Sequence, residues 1–83
     1  MLLTLLMLAA QEPAVSGVCA ARPAEALVGE RYRRGVPSRA KRLSGARTVR
    51  VIWPGQAVTM DWREDRLNLR VDYRRTITSV RCG

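Results

Sequence analysis

Two cysteines frame the informative part of this chain. Cys19 follows an apolar leader, and Cys82 is one residue from the end. In an exported protein such a pair predicts a disulfide that ties the two chain ends together, and two independent thiols are the alternative. Closing a loop of that length removes about 4 kcal/mol of unfolded-chain entropy in the usual model. Because a core of about 65 residues is marginal by itself, the crosslink would contribute a large share of the stability.

The start of the chain predicts export. Its first residues, MLLTLLMLAA, are apolar, end in small residues and are too short to span a bilayer. We therefore predict a secretory signal and flexible lead-in over residues 1–18, one domain over 19–83, a secreted or periplasmic location and no stable membrane span. Lipidation of Cys19 is an alternative, but it requires a small residue directly before the cysteine, where Val18 stands.

Charge and composition exclude several function classes. The formal net charge of +8 at pH 7 permits binding to nucleic acid or acidic surfaces, but the arginines are spread along the chain, and we expect no nucleic-acid partner. The chain has no histidine, which removes Ser-His-Asp and Cys-His catalysis and the common zinc sites. It also lacks a glycine-rich phosphate-binding motif. These features predict no enzyme, metal or cofactor, but a small binding or inhibitory module.

The first half of the domain predicts little regular structure. Residues 11–24 are rich in Pro and Ala and predict a flexible segment. The stretch AEALVGE predicts one helical turn that ends at Gly29. Further along, Ser38 is a candidate N-cap and Gly45 a candidate stop for a helix of about two turns. The apolar contacts of that helix would be Ala40, Leu43 and Val36.

The second half predicts three strands. TVRVIW is rich in β-branched residues and ends at Pro54-Gly55, whereas RLNLRVDY alternates strictly and puts Leu67, Leu69 and Val71 on one face. TITSVR follows after DYRR, which is short enough for a hairpin, and its core contacts would be Ile77 and Val80. The predicted fold class is α+β, with a small twisted β-sheet packed on one short α-helix.

Residues 54–66 do not fit either pattern. Loops of a dozen residues without structure of their own are uncommon in compact domains. Three apolar residues, Val58, Met60 and Trp62, make simple disorder a poor explanation. The segment is either a fourth strand or an exposed loop whose apolar side chains await a partner.

The stretch VRVIWPGQAVTMDWREDRLNLRVDYRRTITSVRCG resembles the potato inhibitor I group of serine-protease inhibitors, and more closely the bacterial and fungal elastase inhibitors related to eglin. The resemblance covers residues 19–83 and is most specific over 47–83. Its matching residues are Cys19, Leu27-Val28-Gly29, Ser44-Gly45-Ala46, Pro54-Gly55, Val58-Thr59-Met60-Asp61, Arg66-Leu67-Asn68 and Cys82-Gly83.

This resemblance implies that loop 54–65 is a reactive-site loop, exposed between two parallel strands and presented as a substrate-like segment to a serine endopeptidase. Met60 would enter the primary specificity pocket, and Met60-Asp61 would be the bond at risk. An uncharged, unbranched side chain suits elastase-, chymotrypsin- or subtilisin-like pockets and leaves the carboxylate of a trypsin-like pocket unpaired. The neighbouring contacts would come from Ala57, Val58, Thr59, Trp62 and Arg63.

The resemblance also implies how the loop is held. Arg66 would donate charge-assisted hydrogen bonds to Asp61 and Thr59. Asn68 stands where potato inhibitor I has a second arginine, and Arg70 on the same strand face could replace it. The carboxylate of Gly83 near these arginines is a further expected contact.

These expectations describe a monomer whose partner is a serine endopeptidase. Two other functions stay open. One is an inhibitor-fold protein without inhibitory activity, and the other is a small basic protein that binds the cell envelope or polyanions.

Overall fold

A computed structural model describes residues 18–83, and the rest of the predicted signal lies outside these residues. The fold is α+β. Helix α1 (Ala21–Ala24) runs into a 3-10 turn (Glu25–Leu27), and helix α2 (Val36–Ser44) follows. The three strands are β1 (Thr48–Ile52), β2 (Arg66–Val71) and β3 (Ile77–Cys82).

The sheet has the order β1-β2-β3, with β1 parallel and β3 antiparallel to the central strand. The alternation of β2 is as predicted, because Leu67, Leu69 and Val71 are buried under the helices. The opposite face of the sheet carries the polar side chains of β2. The largest fully buried side chains of the core that the helices cover are Leu27, Leu67, Leu69 and Ile77.

Helix α2 begins earlier than predicted. Its N-cap is Gly35, so the assignment of Ser38 as N-cap is wrong. Pro37 explains the shift, since proline suits the first turn, where a helix needs no N–H donor. The predicted stop is confirmed, because Gly45 adopts a φ of 73° and donates its N–H to the Lys41 carbonyl at 2.9 Å.

The buried face of α2 also differs from the prediction in one position. Val36 and Ala40 are buried as expected, but Leu43 is 36% exposed. Ser44 takes the last buried position, where its Oγ donates to the Ala40 carbonyl at 2.7 Å and accepts from the Ala46 N–H at 3.1 Å. Leu43 lies at the margin of the buried stripe, because the positions four apart in sequence occupy its centre.

The segment before α2 is more ordered than the sequence predicts. Residues 21–24 form α1 rather than flexible chain, so the fold has two helices and not one. Small alanine side chains allow α1 to lie close to α2. Ala24 is buried, and the Ala20 N–H donates to the Ser44 carbonyl at 2.8 Å. The predicted helical turn is present as the 3-10 turn that precedes Gly29.

The predicted disulfide between Cys19 and Cys82 is confirmed, with the two Cα atoms 5.7 Å apart. It joins Cys19, two residues before α1, to the last residue of β3, and both cysteines pack against the core. Over residues 18–83 no helix has the length and apolar character needed to cross a membrane. The same residues contain no cluster of three or more side chains of the kinds that ligate metals.

A small aromatic cluster lies where the chain leaves β1. The rings of Tyr32 and Trp53 meet edge to face with centroids 5.0 Å apart, and the Arg75 guanidinium lies 5.6 Å from the Trp53 ring. Such contacts each contribute about 0.5–1.5 kcal/mol beyond burial. Trp53 is therefore fixed at the point from which the next segment departs.

Candidate functional site

The connection between β1 and β2 is an irregular segment without strand or helix. Because β1 and β2 are parallel, a tight turn cannot join them, and the chain must return to the other end of the sheet. A turn at Pro54-Gly55 starts the return, with Gly55 at a φ of 76° and the Trp53 N–H donating to Gln56 Oε1 at 3.0 Å. Met60 is 93% exposed and Trp62 is 69% exposed, so the segment does not form the fourth strand that the sequence left open.

Arg66 holds the Asp61 side of the loop. Its side chain is only 11% exposed, at the start of β2. Nη2 donates to the Asp61 carbonyl at 2.8 Å, Nη1 lies 3.4 Å from Asp61 Oδ2, and Nε donates to the Gly83 backbone oxygen at 2.8 Å. The Gly83 N–H in turn donates to the Arg66 carbonyl at 2.9 Å. One arginine thus fastens the loop to the end of β3.

A different arginine holds the Thr59 side. Arg50 Nη1 donates to Thr59 Oγ1 at 2.9 Å, and its Nε donates to Asn68 Oδ1 at 2.8 Å. Asn68 therefore supports the loop indirectly, by orienting Arg50. The expected bond from Arg66 to Thr59 is not formed, because Arg66 already uses its donors on Asp61 and Gly83.

Trp62 covers the end of the chain. A methyl group built on Gly83 would lie 2.7 Å from Trp62 Nε1, so the indole rests directly on the glycine. The φ of Gly83, 133°, is also one that other residues rarely adopt. Glycine at this position lets the loop lie close to the sheet.

The C-terminal side of the loop is tied to the disulfide region. The Cys19 N–H donates to the Glu64 carbonyl at 2.8 Å, and the Arg47 N–H donates to the Asp65 carbonyl at 2.8 Å. The Asp65 side chain also accepts from Arg63 Nε at 3.1 Å. The loop is thus anchored beyond its own supports, while the side chain of Met60 stays free.

The loop presents the exposed side chain of Met60 between Thr59 and Asp61, each of which an arginine holds in place. A model of the peptidase inhibitor I78 family matches residues 19–83. The chain belongs to the peptidase inhibitor I78 family. It is therefore a protease inhibitor and not an enzyme.

A solved relative agrees with this membership of the I78 family. The structure is similar to that of the elastase inhibitor AFUEI (crystal form II), with a TM-score of 0.57 and 30% sequence identity. The match covers 69% of this chain and 78% of that chain. A search of curated protein sequences finds no significant match. The predicted resemblance to elastase inhibitors is confirmed, whereas the relation to potato inhibitor I and eglin stays a prediction.

The charges around the loop of this I78 inhibitor favour ionised carboxylates. The Thr59 hydroxyl, followed by the positive charges of Arg66 and Arg50, lowers the pKa of Asp61, although partial desolvation opposes this effect. Arg63, with Arg47 behind it, lowers the pKa of Asp65 in the same way. Near neutral pH both carboxylates are therefore available as hydrogen-bond acceptors.

The site gathers most of the residues that the sequence singled out. Arg66, Asn68 and Gly83 all take part in holding the loop. The exposed side chain of Arg70 forms no hydrogen bond or ion pair within residues 18–83 and does not replace the missing arginine. Sequence reasoning missed Arg50. The alternation of TVRVI indicated that Arg50 lies on the polar face of β1. The parallel register then places Arg50 beside Asn68.

The remaining loop residues are accessible to a partner. Ala57, Thr59 and Arg63 are exposed, while Val58 is half-buried against the sheet. Their contacts with a protease stay predictions.

Proposed function

We propose that this chain is a secreted or periplasmic serine protease inhibitor that presents loop 54–65 as a substrate-like segment, with Met60-Asp61 as the reactive-site bond. The observation that carries the proposal is the free, 93% exposed side chain of Met60 between two residues that arginines hold in place. The supports differ in two ways from those that the resemblance implies. The second arginine comes from β1, and Thr59 is bound by this Arg50 instead of by Arg66.

The tethers explain why such a segment inhibits instead of being consumed. An extended peptide adds a strand to a protease cleft, and a flexible one must first be ordered at about 0.5–1.5 kcal/mol per immobilised side chain. This loop is already ordered by Arg50 and Arg66. Much of the ordering cost is therefore met before binding.

The same tethers lie on opposite sides of the proposed bond. Thr59, on the acyl side, is bound to Arg50, and Asp61, on the amine side, is bound to Arg66. After cleavage the new amine of Asp61 stays close to the acyl carbon of Met60. This closeness favours resealing of the bond over release of the fragments.

Met60 defines the class of target. Its flexible, uncharged side chain suits elastase-, chymotrypsin- or subtilisin-like pockets, and the solved relative is named as an elastase inhibitor. A trypsin-like pocket would bury an unpaired carboxylate against it. The partner is therefore a serine endopeptidase of the first three kinds, bound by a monomer of this chain.

The confirmed disulfide supports the proposed location. Disulfides persist in oxidising compartments and are rare in the reducing cytosol. Removal of residues 1–18 as a signal would leave domain 19–83 intact, including both cysteines.

The test incubates purified residues 19–83 with elastase, chymotrypsin, subtilisin and trypsin. We expect tight inhibition of one or more of the first three, weak or no inhibition of trypsin, and slow cleavage only at Met60-Asp61, detected by mass spectrometry. The matched variant Met60→Lys should transfer inhibition to trypsin while circular dichroism stays unchanged. A folded protein that inhibits none of the four, or that is cut elsewhere, contradicts the proposal.

A further inference from the structure

A cleft of about 410 Å³ lies between the loop and the face of the sheet that the helices leave uncovered. Val58 and Trp62 of the loop form one wall. Arg50, Asn68, Arg70 and Arg81 form the other, on the three strands. The cleft is therefore apolar on the loop side and cationic on the sheet side.

The strand register concentrates the positive charge. Asn68 is paired with Arg50 of β1 on one side and with Arg81 of β3 on the other. Arg70 is two residues further along β2, on the same face, and is diagonal to Arg81. Diagonal neighbours on a sheet lie about 7–8 Å apart, within reach of long side chains. Three guanidinium groups thus surround one amide.

Two of these charges face no acidic side chain. Within residues 18–83, the side chains of Arg70 and Arg81 form no ion pair or hydrogen bond, and no Asp or Glu is among the residues that line the cleft. Gly83 also lines the cleft, but its backbone oxygen accepts from Arg66. Asp61 of the loop forms its ion pair with Arg66 instead. Like charges gathered in this way repel one another unless an anion joins them.

We propose that this cleft is a binding site for a small oxyanion such as sulfate or phosphate. Planar guanidinium groups match the oxygen geometry of these anions, and Arg70 and Arg81 have their donors free. Asn68 accepts from Arg50 through Oδ1, which leaves its NH2 group to donate. The Trp62 side chain forms the facing wall of the cleft. This binding does not depend on the proposed protease inhibition.

The test titrates residues 19–83 with sodium sulfate, sodium phosphate or sodium acetate, each against sodium chloride at matched ionic strength. Isothermal titration calorimetry measures binding, and the indole N–H resonances of Trp62 and Trp53 report its place. We expect saturable, one-to-one binding of sulfate and phosphate that shifts Trp62 more than Trp53. Chloride should cause no saturable change. Acetate separates a general carboxylate site from one that requires a tetrahedral dianion.

The site variant is the pair Arg70→Gln and Arg81→Gln, and its control is the pair Arg22→Gln and Arg42→Gln, exposed arginines on the two helices. Both pairs remove the same charge. We expect the site pair to weaken sulfate binding roughly tenfold or more, because charged hydrogen bonds are lost, and the control pair to leave it nearly unchanged. Equal weakening in both pairs, or an equal response to chloride, overturns the proposal.

Discussion

Each neighbour of Met60 is held by its own arginine, and the two arginines play unequal parts. Arg66 is buried and joins three backbone or carboxylate oxygens, whereas Arg50 reaches a single hydroxyl and is itself oriented by Asn68. Hydrogen bonds to charged groups contribute about 1.5–3 kcal/mol each. At the scale of the residue, the Asp61 side of the proposed bond is the more firmly fixed.

Replacing Arg66 by Ala should turn the inhibitor toward a substrate. Losing its bonds to Asp61 frees the amine side of the bond, so we expect inhibition to weaken roughly 10- to 100-fold and cleavage after Met60 to become faster. Inhibition constants and mass spectrometry measure the two effects. Arg70→Ala removes an arginine from the same strand without touching the loop and should change neither. Unchanged inhibition and cleavage in Arg66→Ala would show that the support role is wrong.

The Asp61 carboxylate makes loop rigidity dependent on pH. Because its pKa is lower in the folded protein than the ordinary value of 3.8, its interactions stabilise the fold fully above that value and are lost as pH falls through the lowered pKa. We expect no change in loop order between neutral pH and 3.8, and increased mobility only below 3.8, as pH falls through the lowered pKa. Hydrogen exchange of loop amides across this range measures it, with Asp61→Asn as the variant that should lack the transition.

Parallel pairing of β1 and β2 is the element-scale reason that the loop exists. The sequence predicts the strands well, because period-two alternation in β2 and β-branched content in β1 are local signals. It predicts the start of α2 poorly, since the N-cap preference of Ser38 is a local signal, whereas the helix begins after Gly35 with Pro37 in its first turn and Val36 in the core. The loop stayed ambiguous for a similar reason. Val58, Met60 and Trp62 alternate like a strand, and tertiary packing decides that Met60 and Trp62 are exposed while Val58 is half-buried.

The role of Arg50 was also hidden at this scale. In the sequence of β2, Asn68 stands where a second arginine is expected. The parallel register shows that Arg50 of β1, beside Asn68, supplies the guanidinium instead. Pairing between distant segments does not follow from the local pattern of either one.

Replacing Arg50 by Ala should therefore loosen the Thr59 side while the strands stay paired. We expect inhibition to weaken roughly tenfold, less than for Arg66→Ala, because one charged hydrogen bond to the loop is lost instead of several. Asn68→Ala should have a smaller effect in the same direction, since Arg50 loses its orientation but keeps its charge. Full activity in Arg50→Ala with an unchanged melting temperature would contradict this support role.

At the scale of the whole molecule, one disulfide connects the parts that hold the loop. Cys19 binds the loop backbone at Glu64, and Cys82 precedes the Gly83 that Arg66 and Trp62 contact. Stability and loop order therefore depend on the same crosslink.

Replacing both cysteines by Ser should lower the free energy of unfolding by about 2–4 kcal/mol. We also expect faster cleavage at Met60-Asp61 at temperatures where the variant is still folded, because the anchors at Glu64 and Gly83 are weakened. Denaturant unfolding and cleavage assays measure the two effects. The core variant Leu69→Ala should lose similar stability, about 2–5 kcal/mol, without the faster cleavage. Equal cleavage rates in the two variants would contradict a specific role for the crosslink in loop order.

The disulfide also holds the two ends of the domain close together. With the Cα atoms of Cys19 and Cys82 only 5.7 Å apart, the polypeptide enters and leaves at nearly one point. A domain of this form can be inserted into a surface turn of a host protein without forcing the ends of that turn apart. The inhibitor domain is thus suited to insertion into an unrelated host protein, which would then display loop 54–65 on its surface.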